Sequence, residues 1–196
     1  MKSRILVAAS LAALALGGCT TTPVTRVTRF HLDQRVAPGQ IAVEPILPAD
    51  RGSLEFQSYA SIVGAELARL GFTEAPGVAR SEQVAAIVVE RGSRETLSRG
   101  SPISIGIGGG SYGYRGGVGG GISFPIGKPR STEIVATRLI VQIKRRSDAS
   151  VVWEGRAETS VSAGSPAADP KATVQRLATA LFSGFPGESG RTVTVK

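Results

Sequence analysis

The sequence contains very few of the residues that build disulfides, metal centres and imidazole-dependent active sites. Among its 196 residues it has one cysteine, Cys19, and one histidine, His31. A single thiol excludes an internal disulfide and a zinc site built on several cysteines, and a single imidazole excludes a multi-histidine metal site. We therefore expect no bound metal, no cofactor and no enzymatic activity.

Aromatic residues are also sparse, at 5% of the chain. No apolar run reaches the roughly 20 residues that a membrane-spanning helix needs. Glycine, in contrast, accounts for 25 residues, and Lys plus Arg exceed Asp plus Glu by 23 to 15, which gives a net charge of +8. A chain of this length forms one domain of ordinary size and can bury a core without disulfides or metals.

The N-terminus has the pattern of a bacterial lipoprotein signal. A basic leader precedes the uncharged apolar run 5–16, and the run ends in the lipobox Leu16-Gly17-Gly18-Cys19. The Cys19 thiol accepts the diacylglyceryl group, and cleavage between Gly18 and Cys19 requires small residues beside the bond. We predict a signal peptide over residues 1–18 and fatty-acyl chains such as palmitate on Cys19. The alternative is an ordinary secretory signal with an unrelated cysteine at its end.

The lipoprotein signal predicts the compartment and the partners of the mature protein. Processing removes Lys2 and Arg4 from the charge of +8 and leaves +6 on the mature chain. Thr20 follows Cys19, and the Asp that retains lipoproteins in the inner membrane of enterobacteria is absent there. We expect the protein to face the periplasm from the outer membrane, with that membrane and an envelope protein as partners. Nucleic acid is not expected in that compartment.

The sequence predicts a lipidated tether (19–25), a single domain (26–190) and a C-terminal tail (191–196), which is either frayed or a short edge strand. Strand-like composition at 24–30 and 40–45 precedes an amphipathic helix from Leu54 to Leu70, which Gly71 ends in a Schellman motif. A compact strand follows at 84–89. Further on, two alternating strands, 132–146 and 151–163, form a hairpin, and Asp169-Pro170 begins a second amphipathic helix. The pattern predicts an α+β two-layer sandwich, with both helices on one face of a mainly antiparallel sheet.

Residues 101–127 are unusually rich in glycine and predict a hairpin insertion in this sheet. Isoleucine and phenylalanine alternate with small residues at both of its ends. Near its tip lie Tyr112, Tyr114 and Arg115, which we predict as interaction residues. The stretch 108–113 also matches the spacing G-x-G-x-x-G, but more glycines follow and no helix can begin there, so a dinucleotide site is not predicted.

Three other groups are candidates with simpler alternatives. The basic run Lys144, Arg145 and Arg146, together with Arg91, Arg94 and Arg99 on another strand, is a candidate interaction site for lipid phosphates, lipopolysaccharide or cell-wall carboxylates. The alternative is a solvated strand end. His31 and Asp33 would share a strand face and offer a general base, but a packed or solvated histidine is the simpler interpretation. Trp153 lies on the apolar face of its strand, which favours the core over ligand stacking.

Several segments stand in an order that points to a family. They are the lipobox, the helix end Glu66-Leu67-Ala68-Arg69-Leu70-Gly71-Phe72, the strand 84–89, the Gly/Tyr-rich insertion, the segment Val151-Val152-Trp153-Glu154-Gly155-Arg156-Ala157 and the final Phe185-Pro186. Together they resemble the domain-of-unknown-function 4136 (DUF4136) family of bacterial envelope lipoproteins, over roughly residues 25–186. The resemblance implies an α/β lipoprotein fold in the cell envelope and implies no reaction.

The sequence therefore predicts a non-catalytic, lipid-anchored binding or assembly module. Two alternatives remain open from the residues alone. One is an accessory lipoprotein subunit of an envelope transport system, which rests on fold analogy. The other is a hydrolase that uses His31, which would require an acid and a hydroxyl within hydrogen-bond reach of the imidazole.

Overall fold

The protein is described by a computed structural model that covers residues 23–32, 36–75, 81–97 and 131–196. Along these residues lie seven strands and two α-helices: β1 (Thr25–His31), β2 (Gln40–Pro45), α1 (Leu54–Arg69), β3 (Thr73–Glu74), β4 (Gln83–Leu97), β5 (Ser131–Arg145), β6 (Val151–Ser162), α2 (Pro170–Phe182) and β7 (Thr192–Val195). The predicted signal peptide, Cys19 and the Gly-rich hairpin 101–127 lie outside the described residues.

The strands form one mixed sheet in the order β3-β2-β4-β5-β6-β1-β7. β2 is parallel to both β3 and β4, whereas the other neighbouring pairs are antiparallel. The expectation of a mainly antiparallel sheet is therefore wrong, because one side of the sheet is parallel. The physical reason is the helix α1, which follows β2. A helical crossover returns the chain to the end of the sheet where the previous strand began, so the next strand runs parallel to it.

The C-terminal end of α1 has the predicted Schellman motif. The Gly71 N–H donates to the carbonyl of Ala68 at 3.0 Å, and the Phe72 N–H donates to the carbonyl of Leu67 at 3.1 Å. Gly71 has φ +91°, a conformation that side chains with a Cβ rarely adopt. The glycine thus ends the helix and turns the chain toward β3, where Phe72 is buried.

The helix α2 also begins where the sequence predicts. Asp169 is its N-cap, and the Asp169 carboxylate accepts a hydrogen bond from the Ala172 N–H at 2.7 Å. Pro170 occupies the first helical position, where the missing N–H has no intrahelical partner to lose. The two helices are joined through a buried carboxylate, Glu66. It accepts hydrogen bonds from three side chains at 2.8 to 3.0 Å: Arg69, Gln175 and Thr179.

The hydrophobic core lies between the two helices and one face of the sheet. Along β6 the buried residues alternate with exposed ones, as the sequence pattern predicts. Trp153 is fully buried, stacks on Phe182 with ring centroids 5.7 Å apart, and donates from Nε1 to the Pro186 carbonyl at 3.0 Å. Trp153 is therefore a core residue, and a role in stacking an external ligand is wrong for it. The other large side chains that are fully buried are Ile41, Leu67, Ile87, Leu139, Ile143, Leu177 and Leu181.

Candidate functional site

The N-terminal end of β1 shows where the predicted tether meets the domain. Thr25 of β1 pairs with Thr159 of β6, which in turn pairs with Thr137 of β5. The Thr159 hydroxyl donates to the carbonyl of Val24 at 2.8 Å. We call this end of the sheet the tether end. The hairpin of β4 and β5 extends beyond these residues at the same end, as far as the pair Leu97 and Ser131.

A row of four charged side chains crosses the exposed face of the sheet close to the tether end. Arg26, Glu158, Arg138 and Glu90 occupy directly opposed positions on β1, β6, β5 and β4. Arg26 donates to one Glu158 oxygen from Nε at 3.0 Å and from Nη2 at 2.7 Å. Arg138 donates to the other Glu158 oxygen at 3.3 Å and to Glu90 at 3.2 Å. Opposite charges thus alternate from strand to strand, the arrangement that favours cross-strand pairing.

Glu158 is the carboxylate shared by both arginines. Partial burial by itself would raise its pKa, but the hydrogen bonds and positive charges of Arg26 and Arg138 outweigh burial. They hold the pKa of Glu158 below its usual range. Glu158 is therefore ionised at neutral pH and orients both guanidinium groups along the sheet.

A groove lies beside this charged row because the next row of residues has small side chains. Gly92, Ala136 and Ser160 are opposed on β4, β5 and β6, two residues nearer the tether end than the charged row. Two residues further toward the tether end, Arg94 of β4 is opposite Ile134 of β5. The row of small residues thus lies between the charged row and Arg94, and it forms a depression with a volume of about 900 Å³. Apart from Gly92 itself and its two chain neighbours, no heavy atom of the described residues lies within 4 Å of the position that a Cβ on Gly92 would occupy.

The side chains around this groove carry an excess of positive charge. The charged side chains on the open face of the groove are three arginines and two glutamates: Arg26, Arg94, Arg138, Glu90 and Glu158. Arg91 lies between Glu90 and Gly92 on β4, so its side chain points to the opposite face of the sheet, where its Nη2 donates to the Ala168 carbonyl at 2.7 Å. Arg94 is exposed and forms no ion pair with any residue in the described ranges. Guanidinium groups around an open floor are suited to binding phosphate or carboxylate oxygens. We call this feature the arginine groove.

The basic run Lys144, Arg145 and Arg146 lies at the other end of β5. Arg145 lies eight positions after Thr137 on this strand, a distance of roughly 26 Å at the rise of an extended chain. Arg146 donates from Nε to the Ser81 carbonyl at 2.8 Å, and its Nη2 pairs with the Glu44 carboxylate. Arg146 therefore joins the end of β5 to β2 and to the segment before β4. The structure therefore places this basic run far from the tether end.

His31 also lies away from the tether end, at the last position of β1. Its Nε2 is 3.0 Å from the carbonyl oxygen of Gly187. The Ser189 hydroxyl bonds to the main chain of His31, accepting from its N–H and donating to its carbonyl, both at 3.0 Å. The nearby hydroxyl therefore engages the His31 backbone. Asp33, the acid proposed to act with this histidine, lies outside the described residues.

Several predicted site residues fall outside the part of the chain that the structure describes. Gly18 and Cys19, Tyr112, Tyr114 and Arg115 are among them, and their roles stay predictions. Within the described ranges, no three His, Cys, Asp or Glu side chains are placed to hold a metal ion. The two described helices are too short or too polar to cross a bilayer.

The sequence indicated Arg91 and Arg94 as basic residues that could meet lipid phosphates, but it did not predict the arginine groove. The alternation along β5 does place Arg138 on the exposed face, and Arg91 and Arg94 stand out as basic residues on β4. Nothing in the sequence, however, shows that Arg26 lies in the same row as Glu158, 132 residues away. The available signal is local: Gly92 interrupts a charged strand, which is typical of a place where another group approaches closely.

Comparison with known proteins identifies a family and a relative. The family model described as "Domain of unknown function (DUF4136)" matches residues 33–187. "Uncharacterized protein ZMO1243" from Zymomonas mobilis subsp. mobilis is 34% identical over 227 residues, which cover 94% of this chain and 84% of the relative.

Two solved structures match the chain at low sequence identity. A PDZ domain protein from Parabacteroides distasonis is 16% identical with a TM-score of 0.48, covering 96% of this chain and 42% of that one. The PelC dodecamer from Paraburkholderia phytofirmans is 14% identical with a TM-score of 0.38, covering 81% of this chain and 92% of that one. Both TM-scores lie below 0.5.

Proposed function

The chain belongs to the DUF4136 family, as its sequence motifs predicted, and we propose that it is a non-catalytic lipoprotein anchored through Cys19. In this proposal it faces the periplasm from the outer membrane and serves there as a binding or assembly module. The observation that carries the proposal is the short interval between the lipobox and the folded domain. β1 begins at Thr25, six residues after Cys19. Six extended residues span at most about 21 Å, so the anchor would hold the tether end close to the bilayer.

This geometry supports a definite orientation of the domain. The arginine groove would face the headgroups, and the opposite end of the sheet would point into the periplasm. At that opposite end, three apolar side chains are exposed around a depression of about 550 Å³: Phe30, Leu32 and Val151. Leu32 is 76% exposed. Exposed apolar side chains at one site favour binding of a protein partner, which agrees with a binding module and equally with an accessory subunit of a transport system.

The non-catalytic part of the proposal is supported by the surroundings of His31. Its Nε2 lies against a backbone carbonyl, and the neighbouring Ser189 hydroxyl is engaged by the His31 main chain. A hydrolase would instead need the hydroxyl to hydrogen-bond the imidazole. His31→Ala should accordingly leave envelope function unchanged.

The anchor is tested by replacing the one thiol. Cys19→Ala should incorporate no labelled palmitate and should leave the membrane fraction in a high-salt wash. The wash is needed because a mature chain of charge +6 also adheres to anionic surfaces by electrostatic attraction, which salt screens. Thr20→Asp is the matched control: acylation should persist, and where the enterobacterial sorting rule applies the protein should stay in the inner membrane. Salt-resistant attachment of Cys19→Ala would contradict the proposal.

A further inference from the structure

We propose that the arginine groove binds the phosphate group of a lipid headgroup in the membrane that carries the anchor. The inference rests on the proposed function for the position of the groove relative to the membrane. Its chemistry rests on the described side chains alone. The site would make the lipoprotein sensitive to which headgroups surround it, a property that an acyl anchor does not provide.

The hydrogen-bond distances indicate which arginines are free to bind a ligand. Arg26 is held firmly, with a charge-assisted bond of 2.7 Å to Glu158. Arg138 is held loosely, at 3.2 and 3.3 Å from its two carboxylates, longer than the roughly 2.7–2.9 Å of strong charged pairs. Arg94 forms no ion pair with a described residue. Arg138 and Arg94 are therefore the donors available to a phosphate.

These two arginines stand on opposite walls of the groove. Arg94 lies four residues along β4 from Glu90, which is the direct neighbour of Arg138 on β5. With the rise and spacing of strands, their Cα atoms are roughly 14 Å apart. Two arginine side chains that reach toward each other across this interval can both contact one phosphate above Gly92. The open space over Gly92 provides the room for it.

The rest of the lining suits the part of a lipid next to the phosphate. Ser160 offers a hydroxyl on the floor, and the apolar side chains of Val24, Ile134 and Ala136 also line the groove. A glycerol backbone presents hydroxyl or ester oxygens beside methylene groups, so it matches this mixture of polar and apolar atoms. Free inorganic phosphate would use the arginines but none of the apolar contacts.

The position of the groove agrees with a ligand in the bilayer surface. Val24 lines the groove and is five residues from Cys19, so the groove would lie within roughly 18 Å of the acylated residue. Screening in physiological salt limits attraction between exposed charges to about 8–10 Å. The basic run 144–146, a further 26 Å or so along β5, is therefore too far from the membrane to compete for these phosphates.

The test measures binding of a soluble headgroup to the full chain in a nonionic detergent. The probe is glycerophosphoglycerol, the deacylated headgroup of phosphatidylglycerol, followed by phosphorus NMR line broadening. Arg94→Ala and Arg138→Ala should each weaken binding about tenfold, the loss expected for one charge-assisted hydrogen bond. Gly92→Leu should abolish binding by filling the floor. Arg145→Ala, which removes the same charge at the far end of β5, should bind as the parent does.

The outcomes separate the lipid headgroup from a free anion. Weaker binding of inorganic phosphate than of glycerophosphoglycerol supports the headgroup assignment, and equal or tighter binding of inorganic phosphate overturns it. Equal affinity of Arg94→Ala, Arg138→Ala and the parent overturns the site itself. If Gly92→Leu unfolds at the same temperature as the parent protein, its loss of binding does not come from misfolding. Because this measurement does not require acylated Cys19, its failure is distinct from a failure of palmitate labelling.

Discussion

The side chain of Arg29 passes directly over Gly187, so closely that a Cβ on residue 187 would lie 2.5 Å from Cδ of Arg29. In this position Arg29 donates to three carbonyl oxygens at the C-terminal end of α2, at 2.8 to 3.0 Å: Ala180, Leu181 and Ser183. Burial lowers the pKa of Arg29, yet a guanidinium remains charged. A buried cation here is favoured by the partial negative charge of the helix end.

Replacement of Arg29 should destabilise the fold. In Arg29→Met the stem is kept, but three carbonyl oxygens lose their donor, so we expect the free energy of unfolding to fall by about 3 kcal/mol. Urea unfolding measures the change. Arg26→Met is the matched control on the same strand, because Arg26 is exposed and surface ion pairs contribute only about 0–1 kcal/mol. Equal effects of the two substitutions would contradict the capping role.

The substitution Gly187→Ala tests the close approach of the Arg29 side chain to Gly187. It should lower the free energy of unfolding by about 1–3 kcal/mol, because φ at residue 187 is +80° and the new methyl group would collide with Arg29. In a protein that already carries Arg29→Ala, the loss of stability caused by the collision should disappear, and the loss caused by the positive φ of residue 187 should remain. Additive effects in the double variant would show that the two residues do not interact.

Trp153 should be the residue whose loss weakens the core most. Trp153→Ala removes a fully buried ring that packs against Phe182 and Phe185, at a typical cost of about 3–5 kcal/mol. Trp153→Phe should cost less, because it keeps an aromatic ring and loses the hydrogen bond to Pro186. Urea unfolding should show almost no change for Val151→Ala, which lies on the same strand but is 41% exposed. A stable Trp153→Ala protein would mean that the ring is not part of the core.

The Tyr59 hydroxyl should ionise at a higher pH than that of an ordinary tyrosine. Burial, followed by the hydrogen bond to Glu55 and the charge of Glu55, raises the pKa of Tyr59 to about 12 from the usual value near 10. The folded state therefore keeps this proton between pH 10 and 12 while the unfolded chain releases it. The contribution to stability is complete below pH 10 and is lost as the pH rises through 12.

The tyrosinate absorbance of the parent minus that of Tyr59→Phe isolates this group. The difference should titrate near pH 12, and in Glu55→Gln it should move toward pH 10, because the charge of the acceptor is gone. A difference spectrum with its midpoint near 10 in the parent would show that the Tyr59 hydroxyl is open to solvent.

The Gly-rich insertion should be dispensable for folding. β4 and β5 pair as far as Leu97 and Ser131, so their register is established without the residues between them. Deletion of residues 108–121 should change the free energy of unfolding by less than about 1 kcal/mol, since loop-closure entropy varies slowly with length. It should abolish capture of an envelope partner by Tyr112, Tyr114 and Arg115. A glycine-serine segment of equal length is the control, and unfolding of the deletion variant would contradict the prediction.

Sequence patterns located most of the elements because their causes are local. Gly71 ends α1 and Asp169-Pro170 begins α2 through contacts within a few residues. The alternation along β6 predicts its buried face because side chains of a strand point to opposite sides. The two-residue strand β3 was missed, since Thr73 and Glu74 are both exposed and show no periodicity.

The sequence by itself determined the two helices, the β5–β6 hairpin and the DUF4136 family, because each depends on residues close together in the chain. The tertiary structure alone decided which strands lie side by side. The parallel partners of β2, the row from Arg26 to Glu90, and the burial of Arg29 beneath α2 all join residues far apart in sequence. The arginine groove exists for the same reason. Three small residues on three strands become one floor only when the sheet register aligns them, and residue spacing along a single chain does not encode that register.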